Sequence, residues 1–251
     1  MLHQESVDAA AKPDYTSVAH KKETALETRR AKVVGLVPAY REAGRIGRVV
    51  RGVLAHLGTC LVVDDGSPDA TAEEARAAGA VVLRHATNLG KGRALETGFR
   101  WVAEQGADGA VCLDGDGQHD PAEIPKFLAR LEAEAPDIIL GTRRRAGRMP
   151  AIRRFTNRFT SEVVSRLAGT RIHDSQSGYR YVSVRAWNLA RPRTASYDAE
   201  SEFLIRAGRR GLVIAEVPVA TIYGEEKSKI NPFVEPLRFL RLALRYIIGM
   251  D

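Results

Sequence analysis

Apolar and polar residues follow two different periods along the first third of the chain. Apolar runs at residues 33–37 and 61–63 each stop at a Pro or at an Asp-Asp-Gly-Ser-Pro turn, as buried parallel strands do. Between them, apolar residues recur at every third or fourth position from 46 to 57, which predicts an amphipathic helix ending near Gly58. This part of the chain therefore predicts a strand, a helix and a second strand.

The alternation continues along the chain and becomes less regular after residue 141. Thr71, three residues before Glu74, predicts a capping box at the start of the next helix. Further strands are predicted at 81–83, 110–113, 138–140, 179–182 and 213–217, and further helices at 92–104, from 120, and at 151–168, 198–208 and 232–249. The pattern predicts an α/β fold with a mostly parallel central sheet flanked by helices, in which ligands bind beyond the carboxyl ends of the strands.

The length and composition of the chain fit one domain. Its 251 residues are 44% hydrophobic, enough for a sizeable core. Residues 1–30 contain no apolar block, so we expect a disordered N-terminal tail before a folded domain at 31–231. No stretch reaches the roughly 18 to 20 apolar residues that span a bilayer. Cys60 and Cys112 lie in apolar runs, which favours buried thiols in a reducing cytoplasm over a disulfide.

Positive charge is concentrated in one part of the sequence. Residues 141–191 contain twelve Arg and two acidic residues, whereas the formal net charge of the whole chain is +7. A surface of this kind attracts nucleic acid, anionic lipid or a phosphorylated substrate. The composition alone does not choose among these partners.

Asp114, Asp116 and Gln118 alternate with two glycines directly after a predicted buried strand. In extended backbone the three side chains would project to one side, where they could share a cation. Two carboxylates and an amide are hard oxygen ligands that suit Mg²⁺ or Mn²⁺ and leave positions open for phosphate oxygens. The alternative is a Gly-Asp turn that only solvates the strand end. Asp64 and Asp65 end a neighbouring strand at the same edge, and this crowding of carboxylates favours the cation.

Taken together, the motifs of the chain resemble those of the family 2 glycosyltransferases, in particular the dolichol-phosphate mannose synthase-like group of polyprenyl-phosphate sugar transferases. The resemblance runs from about residue 33 to 233. It is carried by Val37-Pro-Ala-Tyr-Arg-Glu42, Val62-Val-Asp-Asp-Gly-Ser67, Asn88-Leu-Gly-Lys-Gly92, Asp114-Gly-Asp-Gly-Gln-His-Asp-Pro121, Gly141-Thr-Arg143, Ser175-Gln-Ser-Gly-Tyr-Arg180 and Glu216-Val-Pro218. It implies a single Rossmann-like domain of the nucleotide-diphospho-sugar transferase (GT-A) type.

The resemblance also implies roles for residues on the donor side. Asp114 and Asp116 match the Asp-x-Asp pair of the family, with Asp116 and Gln118 at metal-binding positions and Asp116 essential for catalysis. Lys91 would lie near the donor phosphates, although a solvated lysine at a helix start is an equal alternative. The base and ribose of a donor such as GDP-mannose or UDP-glucose would contact Pro38, Ala39, Tyr40, Glu42 and Asp65.

For the acceptor, the resemblance implies a polyprenyl phosphate, dolichyl or undecaprenyl. The residues that would bind its phosphate are Arg143, Arg153, Asn157 and Lys229. A phosphate monoester is largely dianionic near neutral pH, so its oxygen could displace the nucleotide directly, with inversion and without a strong base. An alternative acceptor is a hydroxyl group of a glycan or small molecule, which needs a base. Glu200 and Glu202 are then the catalytic candidates, within an acidic segment that begins at Asp198.

A third hypothesis is a non-catalytic anion-binding module for nucleic acid or membrane. The intact Asp114, Asp116 and Gln118 and the lack of an aromatic stacking platform argue against it, so no nucleic-acid partner is expected. Residues 232–251 predict a basic amphipathic helix that either lies in a membrane interface or packs on the core. We therefore expect a cytoplasmic protein bound peripherally to the membrane, which a separate membrane-anchoring protein could accompany.

Overall fold

The predicted strands lie side by side in one sheet. A computed structural model describes residues 31–143, 151–193, 198–220 and 234–248, with the backbone alone at 151–155, 198 and 234–237. The strands are β1 (Val33–Ala39), β2 (Cys60–Asp64), β3 (Val81–Arg84), β4 (Gly109–Cys112), β5 (Ile138–Arg143), β6 (Arg180–Ser183) and β7 (Ile214–Val219). The predicted tail at 1–30 lies outside the described residues.

These seven strands form a sheet in the order β3-β2-β1-β4-β6-β5-β7. All neighbouring pairs are parallel except those made by β6, which is antiparallel to both β4 and β5. The prediction of a mostly parallel sheet is therefore confirmed. The reversal of β6 has a consequence for the site, because Arg180 at its start pairs with Cys112 at the end of β4. The start of β6 thus meets the carboxyl ends of the parallel strands.

Helices connect the strands and cover both faces of the sheet. They are α1 (Ile46–Leu54), α2 (Thr71–Ala77), α3 (Lys91–Glu104), α4 (Ile124–Glu134), α5 (Ala151–Ala168), α6 (Val184–Ala190), α7 (Asp198–Arg209) and α8 (Val234–Ile247), with a 3₁₀ turn at Pro121–Glu123 before α4. Alternate residues of one strand face the two layers: Leu36 packs in the layer that contains Phe99, and Val37 in the layer that contains Ile46 and Phe127. Burial on both faces explains the continuous apolar runs.

The capping box predicted at Thr71 is wrong. The N-cap of α2 is Ala70, whose side chain makes no capping hydrogen bond, and the Thr71 backbone N–H donates to Asp69 Oδ1 at 3.2 Å. The Thr71 hydroxyl donates instead to Asp69 Oδ1 at 2.5 Å and accepts from the Glu42 backbone N–H at 2.8 Å. A tertiary contact between the loop after β1 and the start of α2 has therefore replaced the local cap.

The terminal helix packs on the body of the protein through one face. Leu242, Ala243 and Tyr246 of α8 are buried, and the helix contacts α5 and α7. On its other side Leu244 and Ile247 are exposed, at 49% and 66%. Among the described helices, none combines the length and the apolar character needed to cross a membrane.

Candidate active site

Lys91 is the centre of a charged cluster at the carboxyl edge of the sheet. Its Nζ lies 2.6 Å from Asp114 Oδ1 and 2.7 Å from Glu200 Oε1. The three residues come from the first turn of α3, the segment after β4 and the first turn of α7. Burial alone would lower the pKa of Lys91, but the two carboxylates raise it well above its ordinary value. Although burial opposes the effect, Lys91 and nearby cationic groups hold the pKa of Asp114 well below its usual range.

Arg180 binds the other oxygen of Glu200. Its Nη2 lies 2.8 Å from Glu200 Oε2, and its Nε and Nη2 donate to the Ser177 carbonyl oxygen. Arg180 is only 6% exposed, so the ion pair is shielded from water. Burial would raise the pKa of Glu200, but Lys91 and Arg180 lower it. Glu200 is therefore a carboxylate held between two cations, which makes it a weak proton acceptor near neutral pH.

Asp116 and Gln118 lie beside this cluster in the turn after β4. The Gln118 backbone N–H donates to Asp116 Oδ1 at 2.9 Å. Burial and the neighbouring charge of Asp114 raise the pKa of Asp116. A cation close to both carboxylates would relieve this repulsion, so the oxygens of the three predicted ligands fit a hard divalent ion. Since the described residues hold no cluster of three His, Cys, Asp or Glu side chains suited to a metal, such an ion needs further ligands from Gln118, water or substrate.

His119 supports the turn that carries these acids. Its Nδ1 accepts the Asp114 backbone N–H at 3.1 Å, and its ring stacks on Tyr179 with centroids 5.1 Å apart. A ring nitrogen that accepts from a backbone N–H is unprotonated. Burial lowers the pKa of His119, although Asp114 opposes this effect, which agrees with the neutral ring. His119 therefore holds the backbone of Asp114 in place.

Gly178 allows the backbone before β6 to approach the acid cluster. A Cβ at this position would lie 2.7 Å from Asp114 Oδ2 and 3.0 Å from Lys91 Nζ. Contacts this short force neighbouring atoms to move. The glycine of the Ser175–Arg180 motif is thus required by a close approach between backbone and charged side chains.

Asp65, predicted to contact the ribose, is fully engaged with the loop that leads to Lys91. Its Oδ1 lies 2.6 Å from His85 Nδ1 and accepts the Leu89 N–H at 2.9 Å, and its Oδ2 accepts the Gly90 N–H at 2.7 Å. Gly90 has a φ of 94°, a left-handed conformation that favours glycine. In this structure Asp65 therefore fixes the turn that delivers Lys91 to the cluster.

The other predicted donor residues lie at the end of β1 and just beyond it. The carboxylate of Glu42 pairs with Arg45 at 2.7 Å, and Tyr40 is partly exposed, with the Arg41 guanidinium 5.1 Å from its ring centre. The Asp114 segment is close, because a Cβ on Gly115 would lie 3.2 Å from Glu42 Cγ. The structure thus brings to one edge of the sheet the predicted donor residues Pro38, Ala39, Tyr40, Glu42 and Asp65.

Arg143, predicted to bind the acceptor phosphate, ends β5 at the same edge. Its Nε and Nη2 form a two-pronged ion pair with Asp174, at 2.7 and 2.8 Å. Asn157 of α5 is partly exposed. The side chain of Arg153 and the whole of Lys229 lie outside the described residues, so their predicted roles stay predictions.

Glu202 does not join Glu200. It is completely buried, its Oε2 accepts the Arg193 backbone N–H at 2.9 Å, and its Oε1 accepts from the Tyr246 hydroxyl at 3.4 Å. These contacts connect α7 to the loop after α6 and to α8. Of the two acids predicted from the sequence, Glu200 is the one that contacts the Lys91 cluster.

Three residues that the sequence reasoning gave no role complete the arrangement. Arg180 and Gly178 contact the acid cluster, and Asp174 positions Arg143. Gly178 and Arg180 belong to the motif at 175–180, so this motif could have indicated that both residues lie at the site. Nothing in the sequence pattern indicated that Asp174 would pair with an arginine on β5.

The comparisons with known proteins assign the chain to a family. The model of glycosyl transferase family 2 matches residues 36–188, and the protein belongs to this family of glycosyltransferases. The resemblance inferred from the motifs is confirmed.

Two similar proteins transfer sugars to polyprenyl phosphates. The UDP-N-acetylglucosamine–dolichyl-phosphate N-acetylglucosaminyltransferase of Methanococcus voltae is 33% identical over 214 residues, which are 76% of this chain and 85% of that protein. The undecaprenyl-phosphate mannosyltransferase of Micrococcus luteus is 31% identical over 210 residues, 77% of this chain and 85% of that protein.

A solved structure shares the fold. Glucosyl-3-phosphoglycerate synthase from Mycobacterium tuberculosis, in complex with Mn²⁺, UDP and glucosyl-3-phosphoglycerate, matches with a TM-score of 0.66 at 21% identity. The match covers 96% of this chain and 86% of that one. The single GT-A domain predicted from the sequence is thereby confirmed.

Proposed function

We propose that the protein transfers a sugar from a nucleotide-diphosphate sugar, of the GDP-mannose or UDP-glucose type, to a polyprenyl phosphate. The observation that carries this proposal is the arrangement of Asp114, Lys91, Glu200 and Arg180, with Arg143 at the end of the neighbouring strand. Asp114, with Asp116 in the same turn, would hold a metal ion for the donor diphosphate. Arg143 would bind the anionic acceptor. The relatives that act on dolichyl and undecaprenyl phosphate support this acceptor class.

Lys91 and the acidic turn form the donor side of the proposal. A divalent cation, Mg²⁺ or Mn²⁺, bound by Asp114, Asp116 and Gln118 would supply positive charge for the departing diphosphate. Lys91 keeps its proton because two carboxylates contact it, so it is a permanent cation within reach of donor phosphates. Asp65 and Gly90 determine where this cation lies.

Arg143 forms the acceptor side. Asp174 holds its Nε and Nη2 edge, so the guanidinium has a defined orientation before any ligand binds. A preorganised arginine offers planar paired donors that match phosphate oxygens. Arg143 can therefore orient a phosphate with little loss of side-chain entropy.

The state of Glu200 favours the phosphate acceptor over a hydroxyl acceptor. A hydroxyl must lose its proton to a base whose pKa lies near the working pH. Both oxygens of Glu200 face cations, and its pKa is lowered. A phosphate monoester needs no such base, so its oxygen can attack the anomeric carbon directly and invert it. In this mechanism Glu200 positions Lys91 and Arg180.

The exposed face of α8 supports contact with a membrane interface. Leu240, Leu244 and Ile247 are exposed there, and Arg241 lies among them. Apolar side chains next to arginines suit the boundary between lipid tails and anionic headgroups. A peripheral position on the cytoplasmic membrane face would give the site access to a lipid acceptor.

The test is to incubate the purified protein with a polyprenyl phosphate, Mg²⁺ or Mn²⁺, and a panel of nucleotide sugars, and to identify the lipid product by mass spectrometry. We expect a polyprenyl-phosphate sugar. Asp116→Asn should abolish transfer, because it removes a proposed metal ligand. The variant should still fold, because burial and Asp114 already disfavour the charge of the Asp116 carboxylate. Normal turnover by this variant would refute the metal assignment.

Variants on the acceptor side separate the two substrates. Arg143→Gln should raise the KM for the polyprenyl phosphate by about 10- to 100-fold and change the KM for the donor much less. Arg166→Gln is the matched control, because Arg166 is a highly exposed arginine paired with Glu162. Equal losses for both substrates, or transfer to a glycan hydroxyl without lipid phosphate, would contradict the proposed acceptor.

A further inference from the structure

A cavity lies between α3, α6 and α7, and none of its described lining residues belongs to the Lys91 cluster. Its volume is about 430 Å³. The residues that give it its chemistry are Arg93, Glu96, Asn188, Arg191, Arg193 and Arg206. Among the described residues of its walls, four arginines and one acid leave a strong excess of positive charge.

Glu96, the acid among the described lining residues, compensates only part of that charge. Glu96 lies 2.7 Å from Arg93 Nη1 and 3.3 Å from Arg191 Nη1. The guanidinium groups of Arg193 and Arg206 make no hydrogen bond or ion pair with any residue that the structure describes. Arg193 contributes only its backbone N–H, which donates to Glu202.

Arg206 is the residue that points to a ligand. It is 9% exposed, and its Nε is buried without a hydrogen-bond partner. Burying an unpaired charge is costly, and a buried lysine or carboxyl relieves the cost by losing or gaining a proton. Arginine cannot do this, because its pKa stays above about 12 in proteins. Among the described residues the charge of Arg206 thus has no partner, and its position on the cavity wall leaves it open to water or an anion.

We propose that this cavity binds the phosphate group of a small molecule, with the guanidiniums of Arg206 and Arg193 as the recognising groups. Two uncompensated positive charges match a phosphate monoester, which carries roughly −1.5 to −2 at pH 7, better than a single carboxylate. The planar donors of arginine fit phosphate oxygens. The cavity lies within the roughly 300–1,000 Å³ of small-molecule sites, so it has room for more than a free ion.

NMR of the arginine side chains tests this at the residue concerned. The Nε–H resonances of the ¹⁵N-labelled protein are followed during titration with inorganic phosphate, and Arg206→Lys, which lacks Nε, assigns the Arg206 signal. We expect that signal to shift saturably, and at lower phosphate concentration than the signal of the exposed Arg166. Arg206→Gln lacks the Arg206 signal, so its affinity is followed at the Arg193 Nε–H resonance and should fall by about 10- to 100-fold.

Two controls separate this site from the acceptor site. Arg143→Gln should leave the response of Arg206 unchanged, and acetate should produce a weaker response than phosphate. An Arg206 signal that stays still while exposed arginines respond would overturn the proposal and assign water as the partner. The titration of the Arg206 signal uses the wild-type protein, so it tests the proposal even if Arg206→Gln fails to fold.

The source of the phosphate is distinguished with two ligands. Glycerol 3-phosphate and dihexanoyl phosphatidic acid carry the same phosphate and differ by the acyl chains. Tighter binding of the lipid assigns the site to a headgroup, and equal or tighter binding of glycerol 3-phosphate assigns it to a soluble phosphate ester. A lack of Arg206 response to both would count against the site.

Discussion

One added methyl group at Gly178 tests the geometry of the acid cluster. In Gly178→Ala the new Cβ would lie 2.7 Å from Asp114 Oδ2, whereas ordinary contacts begin at 3.4 Å. The carboxylate must therefore retreat by about 0.7 Å. It cannot do so alone, because its other oxygen is held by Lys91 at 2.6 Å. The shift consequently reaches both predicted donor-binding groups.

The expected effect is larger on activity than on stability. Overpacking of this kind costs about 1–3 kcal/mol of folding free energy. A displacement of about 1 Å in a catalytic site reduces the rate by about 100-fold, so we expect kcat/KM for sugar transfer to fall by about 10- to 100-fold. Thermal unfolding and steady-state transfer to a polyprenyl phosphate, measured at a temperature where both proteins are folded, check the two effects separately.

Gly58→Ala provides the matched control. A Cβ at Gly58 meets no atom within 4 Å, so this variant should keep the wild-type kcat/KM. If Gly178→Ala also kept it, the close approach between the segment before β6 and Asp114 would have no catalytic importance. The role assigned to the Asp114–Lys91 geometry would then be refuted.

Two further predictions concern stability and thiol reactivity. Glu200→Gln should lower the free energy of unfolding at pH 7 by about 2 kcal/mol, less than the loss of a whole buried ion pair, because Lys91 keeps Asp114. The pKa of Glu200 is lowered in the folded protein, so the difference from wild type should persist above the ordinary value of 4.5 and shrink as the pH falls through the folded pKa. Urea unfolding at several pH values measures this, and a difference independent of pH would contradict it. Burial raises the pKa of Cys60 and of Cys112 to about 12, so neither thiol should react with a disulfide reagent at pH 8 before the protein unfolds, and rapid labelling of the native protein would contradict this.

The elements whose signal is local were predictable from the sequence. The apolar runs of β1 and β2 and the helical stripe of α1 were predicted nearly where they lie, with α1 ending at Leu54 instead of near Gly58. The antiparallel direction of β6 was not predictable, because strand direction depends on long-range pairing that a period of two does not encode. Helix α6 was missed, since its seven residues are too short for a clear helical period.

The types of residue at the site were predictable from the sequence, but most of the contacts between them were not. The motif at 114–118 indicated an acidic turn, and the structure supplies its partner in Lys91. The sequence left both Glu200 and Glu202 as candidates, and only tertiary contacts show that Glu202 contacts Tyr246 instead. The bidentate pair of Arg143 and Asp174 joins residues 31 positions apart, which no local pattern reveals.

The pairing of β4 with β6 divides the sheet into two halves. One half is formed by β1 to β4, from residues 33–112, and the other by β5 to β7, from residues 138–219. The second half contains the antiparallel strand β6 and also β5, which ends at Arg143. Lys91 and Glu200 form a salt bridge across that boundary. Chimeras that exchange the second half between relatives should therefore work only when both parents carry complementary charges at these two positions. Acceptor preference could then be transplanted separately from donor preference, with one ion pair as the compatibility requirement.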